Sequence, residues 1–100
     1  MIKLKLPTYR DVSNFLKTEK PYFFSLIVNS IKEGWKNKLD VVPVIEFHVK
    51  DSYIKVDVDE KDWNNTLHLA LYFYEGIEDY ENCILVSDLI IDIYGEVNHE

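Results

Sequence analysis

The chain has 100 residues, of which 47% are hydrophobic and 14% aromatic, and its formal net charge is -7. This length suits one hydrophobic core, so we expect a single domain over residues 1–100. Three Gly and three Pro are too few for a disordered or collagen-like chain. No apolar run is long enough for a membrane span, and the charged N-terminal segment is no signal peptide. The lone Cys83 excludes an internal disulfide, so we expect a soluble cytoplasmic protein with no membrane partner.

The charge is unevenly distributed along the sequence. Residues 1–50 carry nine basic and five acidic side chains, whereas residues 51–100 carry two lysines and thirteen acidic side chains. Phosphate groups repel such a chain, so direct binding to nucleic acid is disfavoured. The acidic half is typical of a solubilising surface, of a surface that docks on a basic partner, or of a nucleic-acid mimic.

The first half of the chain predicts a strand followed by two helices. Apolar residues alternate with lysines over residues 2–6, as in a strand. Thr8 can cap a helix that runs to about Thr18. Pro21 suits the first turn of a second helix, which extends to about residue 38. The apolar face of that second helix consists of Phe24, Ile27, Val28, Ile31 and Trp35.

Residues 44–58 predict a β-hairpin that turns around Asp51 and Ser52. A register with Val49 opposite Ile54 places six apolar residues on one face, which would be covered by the helices. These residues are Ile45, Phe47, Val49, Ile54, Val56 and Val58. On the other face, the same register pairs His48 with Lys55 and Glu46 with Asp57.

The C-terminal part predicts a helical hairpin over about residues 61–94. Helical spacing of the apolar residues favours this interpretation, although residues 66–74 and 83–94 also fit strands. The last helix spans about Asp79 to Tyr94 and ends at Gly95, and residues 96–100 form a polar, frayed tail. Together with the N-terminal elements, this order indicates an α+β fold.

The outer face of the predicted hairpin collects Glu46, His48 and Asp57. Two carboxylates in direct opposition repel each other unless a metal ion, a shared proton or nearby lysines compensate. Lys3 and Lys5 would project on the same face if the first strand joins the hairpin. We therefore expect a surface that is either solvated or neutralised by lysines, with a small metal-dependent enzyme as the least favoured alternative.

Other recognised chemical motifs do not occur in the sequence. Counted from Asp57, the positions where an EF-hand loop needs an oxygen ligand, a Gly and a Glu hold Lys61, Asp62 and His68. The three histidines have no zinc-ligand spacing, and there is neither a Gly-rich phosphate loop nor a nucleophile elbow. We therefore expect no enzymatic activity, no metal and no cofactor.

The last helix carries the predicted partner-binding surface. Its apolar arc is too wide for one small core, so some apolar side chains must be exposed, and Leu85 is our choice. The predicted partner-binding residues are Glu81, Leu85, Asp88, Leu89 and Asp92. This pattern favours a non-enzymatic protein-binding module, either an inhibitor or an adaptor, that docks on a basic or nucleic-acid-binding protein. Homodimerisation and mimicry of nucleic acid remain open.

The run over residues 71–90 resembles the UVR helical-hairpin motif of nucleotide-excision-repair proteins. Ser87 stands where that motif usually has Arg. The elements that carry the resemblance are Tyr80, Glu81, Cys83, Val86, Asp88 and Ile90. That motif mediates protein–protein docking, so the resemblance implies a partner surface. In size, acidity and hairpin sequence the chain also looks like small accessory proteins of large tailed bacteriophages, which implies a phage or mobile-element origin.

Overall fold

The computed structural model describes residues 1–95, which form four helices and a three-stranded sheet. The α+β class is therefore confirmed. The chain divides into two compact units, Met1–Glu60 and Lys61–Glu100. The predicted polar tail at 96–100 lies outside the described residues, and the single domain stays a prediction. In chain order, the elements are β1 (Ile2–Lys5), α1 (Tyr9–Thr18), α2 (Lys20–Lys36), β2 (Val41–Val49), β3 (Ser52–Asp59), α3 (Glu60–Gly76) and α4 (Tyr80–Tyr94).

The predicted cap of α1 is present as a reciprocal pair of hydrogen bonds. The Asp11 backbone N–H donates to Thr8 Oγ1 at 3.2 Å, and the Thr8 backbone N–H donates to Asp11 Oδ2 at 3.1 Å. Both bonds satisfy backbone donors that the first turn of a helix leaves without partners. This capping box fixes where the chain leaves β1 and enters α1.

The sheet of the first unit has the order β1–β2–β3, with β1 parallel and β3 antiparallel to the central strand β2. Helices α1 and α2 form the crossover that a parallel pair of strands requires. Phe15 of α1 packs edge-on against Phe47 of β2, with ring centroids 5.5 Å apart. The buried apolar residues of this unit are Val12, Ile27, Ile31, Val42, Val44, Ile45, Phe47 and Val49.

The predicted register of the hairpin is wrong by two residues. The six predicted apolar residues still share one face of the sheet, but Ile54 is exposed and is not covered as predicted. Phe47 lies opposite Ile54, and the turn consists of Lys50 and Asp51. A shift of two residues leaves every side chain on its original face because the side-chain period of a strand is two. The observed register places Lys55 opposite Glu46, which is an attractive pair.

The second unit contains α3 and α4, so the strand alternative for residues 66–74 and 83–94 is excluded. The buried residues of α3 follow helical spacing and are Trp63, Leu67, Ala70 and Tyr74. Those of α4 are Val86, Leu89 and Ile90. Among the described helices, none combines the length and apolar character needed to cross a bilayer.

Helices α2 and α3 both end in a Schellman turn that places a charged residue in the left-handed conformation. Lys38 has φ 57° and Glu78 has φ 58°. After α3, the Asp79 N–H donates to the Tyr74 carbonyl at 2.9 Å, which is the defining bond of this turn. The turn thus begins after Gly76 and leads the chain directly to the start of α4.

Candidate functional site: the exposed side of α4

The exposed side of α4 begins at a well-formed N-cap. Asp79 precedes the helix, and its carboxylate accepts bonds from the Asn82 backbone N–H at 3.2 Å and the Asn82 side-chain amide at 2.7 Å. These bonds fix the start of the helix and therefore the direction of every side chain after it. Successive residues then rotate by about 100° around the axis.

Four positions of α4 form a continuous exposed row, which we call the acidic stripe: Glu81, Leu85, Asp88 and Asp92. Leu85 lies between carboxylates and is 61% exposed, as the sequence analysis expects. The fifth predicted partner-binding residue, Leu89, is only 5% exposed. Leu89 lies about 80° from Glu81 around the helix axis, on the side of the buried Val86, and this rotation takes it out of the stripe. The prediction that Leu89 belongs to the exposed surface of α4 is therefore wrong.

A second exposed row lies beside the acidic stripe and is apolar. We call it the apolar stripe, and its members are Tyr80, Ile84, Ile91 and Tyr94. Ile84 is 62% exposed, which makes it as accessible as Leu85. The sequence predicts that some apolar side chains of this helix are exposed, but of these only Leu85 is chosen. The positions of the apolar stripe follow from the buried Val86 and Ile90, because residues on the other sides of the helix face away from the core that these two enter.

The two stripes together present apolar contact area bordered by carboxylates. This arrangement matches the apolar centre and polar rim of a protein–protein interface. Residues 61–95 contain one lysine and seven acidic side chains, so the second unit that carries the stripes is strongly negative. The surface can therefore bury apolar atoms and attract positive charge at once.

Two side chains near the start of α4 have perturbed acidities. Partial burial raises the pKa of the Cys83 thiol, and the carboxylates of Glu75 and Asp79 raise it further. Burial also raises the pKa of the Tyr74 phenol, with a further contribution from Asp79. Both groups are thereby held in their neutral, protonated forms, so Cys83 has the environment of an unreactive thiol.

The outer face of the sheet, formed by the side chains that point away from Phe47, contains the other predicted cluster. Asp57 pairs with Pro43 rather than with Glu46, so the predicted repulsive pair of carboxylates is absent. Glu46 lies in register between Lys3 and Lys55. Its carboxylate accepts a 2.6 Å hydrogen bond from His48 Nε2. Lys3 and Lys55 are therefore the register neighbours of Glu46, whereas the side chain bonded to its carboxylate is His48.

The metal alternative requires Glu46, His48 and Asp57 to converge. Within residues 1–95, no group of three His, Cys, Asp or Glu side chains is arranged to hold a metal ion. The register explains this result for the sheet, because Asp57 lies beyond an extra residue, Val44, that interrupts the pairing of β2 with β3. The absence of enzymatic activity stays a prediction.

Comparisons of the chain with protein-family models, curated proteins and solved structures found no match. The resemblance to the UVR motif and to phage accessory proteins therefore stays a prediction.

Proposed function

We propose that this protein is a binding module for another protein and that it docks through the two stripes of α4. The partner presents an apolar patch bordered by lysines or arginines. The observation that carries this proposal is the side-by-side exposure of Ile84 and Leu85 next to Asp88 on a well-ordered helix.

The apolar part of the surface supports binding because its exposure has a cost in the free chain. Burying one leucine or isoleucine side chain fully contributes about 1.5–3 kcal/mol. Single exposed apolar residues are common, but aligned ones over four turns of a helix form a patch, and patches of this kind mark interaction sites. Ile84 and Leu85 are the central members and therefore the expected main contributors.

The acidic part of the surface supports a basic partner over a second copy of this chain. Each copy brings Glu81, Asp88 and Asp92 to the contact. Two such copies would place like charges near each other, which disfavours association, whereas lysines or arginines would form complementary pairs. Homodimerisation is therefore the less favoured alternative.

Mimicry of nucleic acid is the second candidate function. The acidic half of the chain favours it, because a basic groove attracts dense negative charge. Mimicry differs from apolar docking in its salt dependence. Binding through exposed charges weakens steeply as salt screens them, whereas apolar burial persists.

The test uses affinity capture from a host lysate with three single variants and identification by mass spectrometry. We expect the wild-type protein to retain a specific partner at 0.5 M salt, roughly where the screening length falls to a few ångströms. Ile84→Asp and Leu85→Asp should lose that partner. Leu69→Asp is the matched control, because Leu69 is 52% exposed but lies on α3.

Circular dichroism must show that all three variants are folded, and light scattering must give their masses. A partner lost equally by Leu69→Asp would contradict docking through α4. A partner released at high salt and unaffected by Ile84→Asp would instead favour mimicry. A wild-type dimer that Leu85→Asp converts to a monomer would identify a second copy as the partner. The inhibitor or adaptor role, the phage or mobile-element origin and the cytoplasmic location are part of this proposal and depend on the partner's identity.

A further inference from the structure

A depression of about 580 Å³ lies at one end of the sheet. All the residues that line it belong to the unit Met1–Glu60. Its lining residues are Lys5, Leu6, Pro7, His48 and Lys50. Two lysines and a histidine thus line one concave surface, and no acidic residue is among those that line it.

The backbone places these three side chains together. Lys5 of β1 pairs in register with His48 of β2, and the Leu6 N–H donates to the His48 carbonyl at 2.9 Å. Lys50 begins the β2–β3 turn with φ 54°, a left-handed conformation that a side chain adopts only at some cost. The sheet and the turn therefore fix the three positions, and flexible side chains supply the remaining adjustment.

The imidazole of His48 is oriented by its neighbours. Its Nε2 atom bonds the Glu46 carboxylate at 2.6 Å, and its ring stacks on Tyr53 with centroids 5.9 Å apart. With Nε2 engaged, Nδ1 is the ring nitrogen that remains for a ligand. In the imidazolium form both nitrogens donate hydrogen bonds, one to Glu46 and one to an anion.

We propose that this depression binds a small ligand through a phosphate group. The Nζ atoms of Lys5 and Lys50 and the Nδ1 atom of His48 donate to the phosphate oxygens. Such charge-assisted bonds are stronger than neutral ones, and lysine is a common phosphate ligand. None of the residues that line the depression belongs to the two stripes of α4.

The charge distribution favours a small ligand over a nucleic acid. Residues 1–60 carry ten basic and nine acidic side chains, so this unit does not repel a phosphate as residues 61–100 would. The cations also do not continue as an uninterrupted row, because Lys3 and Lys55 flank the carboxylate of Glu46. A polyanion that follows the sheet would meet that carboxylate, whereas a single phosphate would not.

The test is a nuclear magnetic resonance titration of the full chain with inorganic phosphate at pH 6.5 and constant ionic strength. We expect saturable shifts of the amide signals of Lys5, Leu6, His48 and Lys50. Lys5→Gln and Lys50→Gln should each weaken the affinity about fivefold or more, since each removes one charge-assisted contact. Lys3→Gln and Lys55→Gln are matched controls on the same sheet face and should change it less than about twofold.

A parallel titration with a nucleoside monophosphate separates two sources of the phosphate. Tighter binding with an added shift at Tyr53 would support a phosphate ester, whereas equal affinity would support free phosphate. Shifts that never saturate, or equal losses in the Lys3→Gln and Lys5→Gln variants, would overturn the proposal. Tighter binding of a single-stranded oligonucleotide, weakened by Lys55→Gln, would overturn the choice of a small ligand.

Discussion

Replacing Glu46 by glutamine should destabilise the protein by about 1–1.5 kcal/mol. A net hydrogen bond to a charged group contributes about 1.5–3 kcal/mol and a neutral one about 0.5–1.5 kcal/mol, and glutamine retains only the neutral kind with His48. Glu46 is 8% exposed, so little solvent screening weakens its bond to His48. The register predicted from the sequence, with Glu46 opposite Asp57, would instead make this change neutral or slightly stabilising.

Urea unfolding of the wild type and of Glu46→Gln, followed by circular dichroism, measures this difference. Asp57→Asn is the control, because Asp57 is exposed and should change the free energy of unfolding by less than about 0.5 kcal/mol. A double-mutant cycle with His48→Gln should give a coupling energy of about 1 kcal/mol. A stabilising Glu46→Gln change, or equal effects of Glu46→Gln and Asp57→Asn, would refute the observed register and the reasoning built on it.

Three further predictions concern packing and thiol reactivity. Leu89→Ala should lower the free energy of unfolding in urea by about 2.7–5 kcal/mol, whereas Leu85→Ala should lower it by at most about 1 kcal/mol, because only Leu89 is buried. Similar losses in the two variants would contradict the assigned faces of α4. Phe47→Ala should cost about 3–5 kcal/mol by the same measurement, and a small loss would mean that Phe47 lies outside the core. Cys83 should react with iodoacetamide more slowly at pH 8 than a free cysteine does, because the pKa of its thiol is raised. Asp79→Asn should speed the reaction and still cap α4, since asparagine is also a good N-cap residue. An unchanged rate would exclude Asp79 as a cause of the raised pKa.

Local signals in the sequence predict most elements of this fold. Thr8, Pro21 and Gly95 lie at or next to helix ends, as their chemistry indicates. Helical spacing from Trp63 to Tyr74 outweighs the competing alternation over residues 66–74. These signals depend only on neighbouring residues, so one sequence is sufficient to interpret them.

The hairpin register depends on information that hydrophobic patterning does not contain. Two registers that differ by two residues bury the same apolar face, so patterning alone cannot separate them. Charge pairing on the outer face separates them, since only the observed register puts Lys55 opposite Glu46. The turn supplies the second determinant, because Lys50 rather than Asp51 takes the left-handed conformation.

Hydrophobic patterning also predicts only some of the exposed residues of α4. Leu85 is exposed and Leu89 is buried, although both lie close to acidic residues in the sequence. Apart from its acidic stripe, α4 has apolar residues on almost every side, so the hydrophobic pattern is a weak guide to which side faces the core. The buried positions of Val86 and Ile90 decide the orientation and thereby identify Ile84.

The left-handed residues at the ends of α2 and α3 offer a route to a more thermostable protein. Glycine adopts this conformation without the steric cost of a Cβ atom, so Lys38→Gly and Glu78→Gly should each add up to about 1 kcal/mol. Neither residue belongs to the stripes of α4 or to the depression beside β1. Lys50 has the same backbone conformation, but there a glycine would remove a proposed phosphate ligand. Thermostability and ligand affinity are therefore separable at Lys38 and Glu78 and opposed at Lys50.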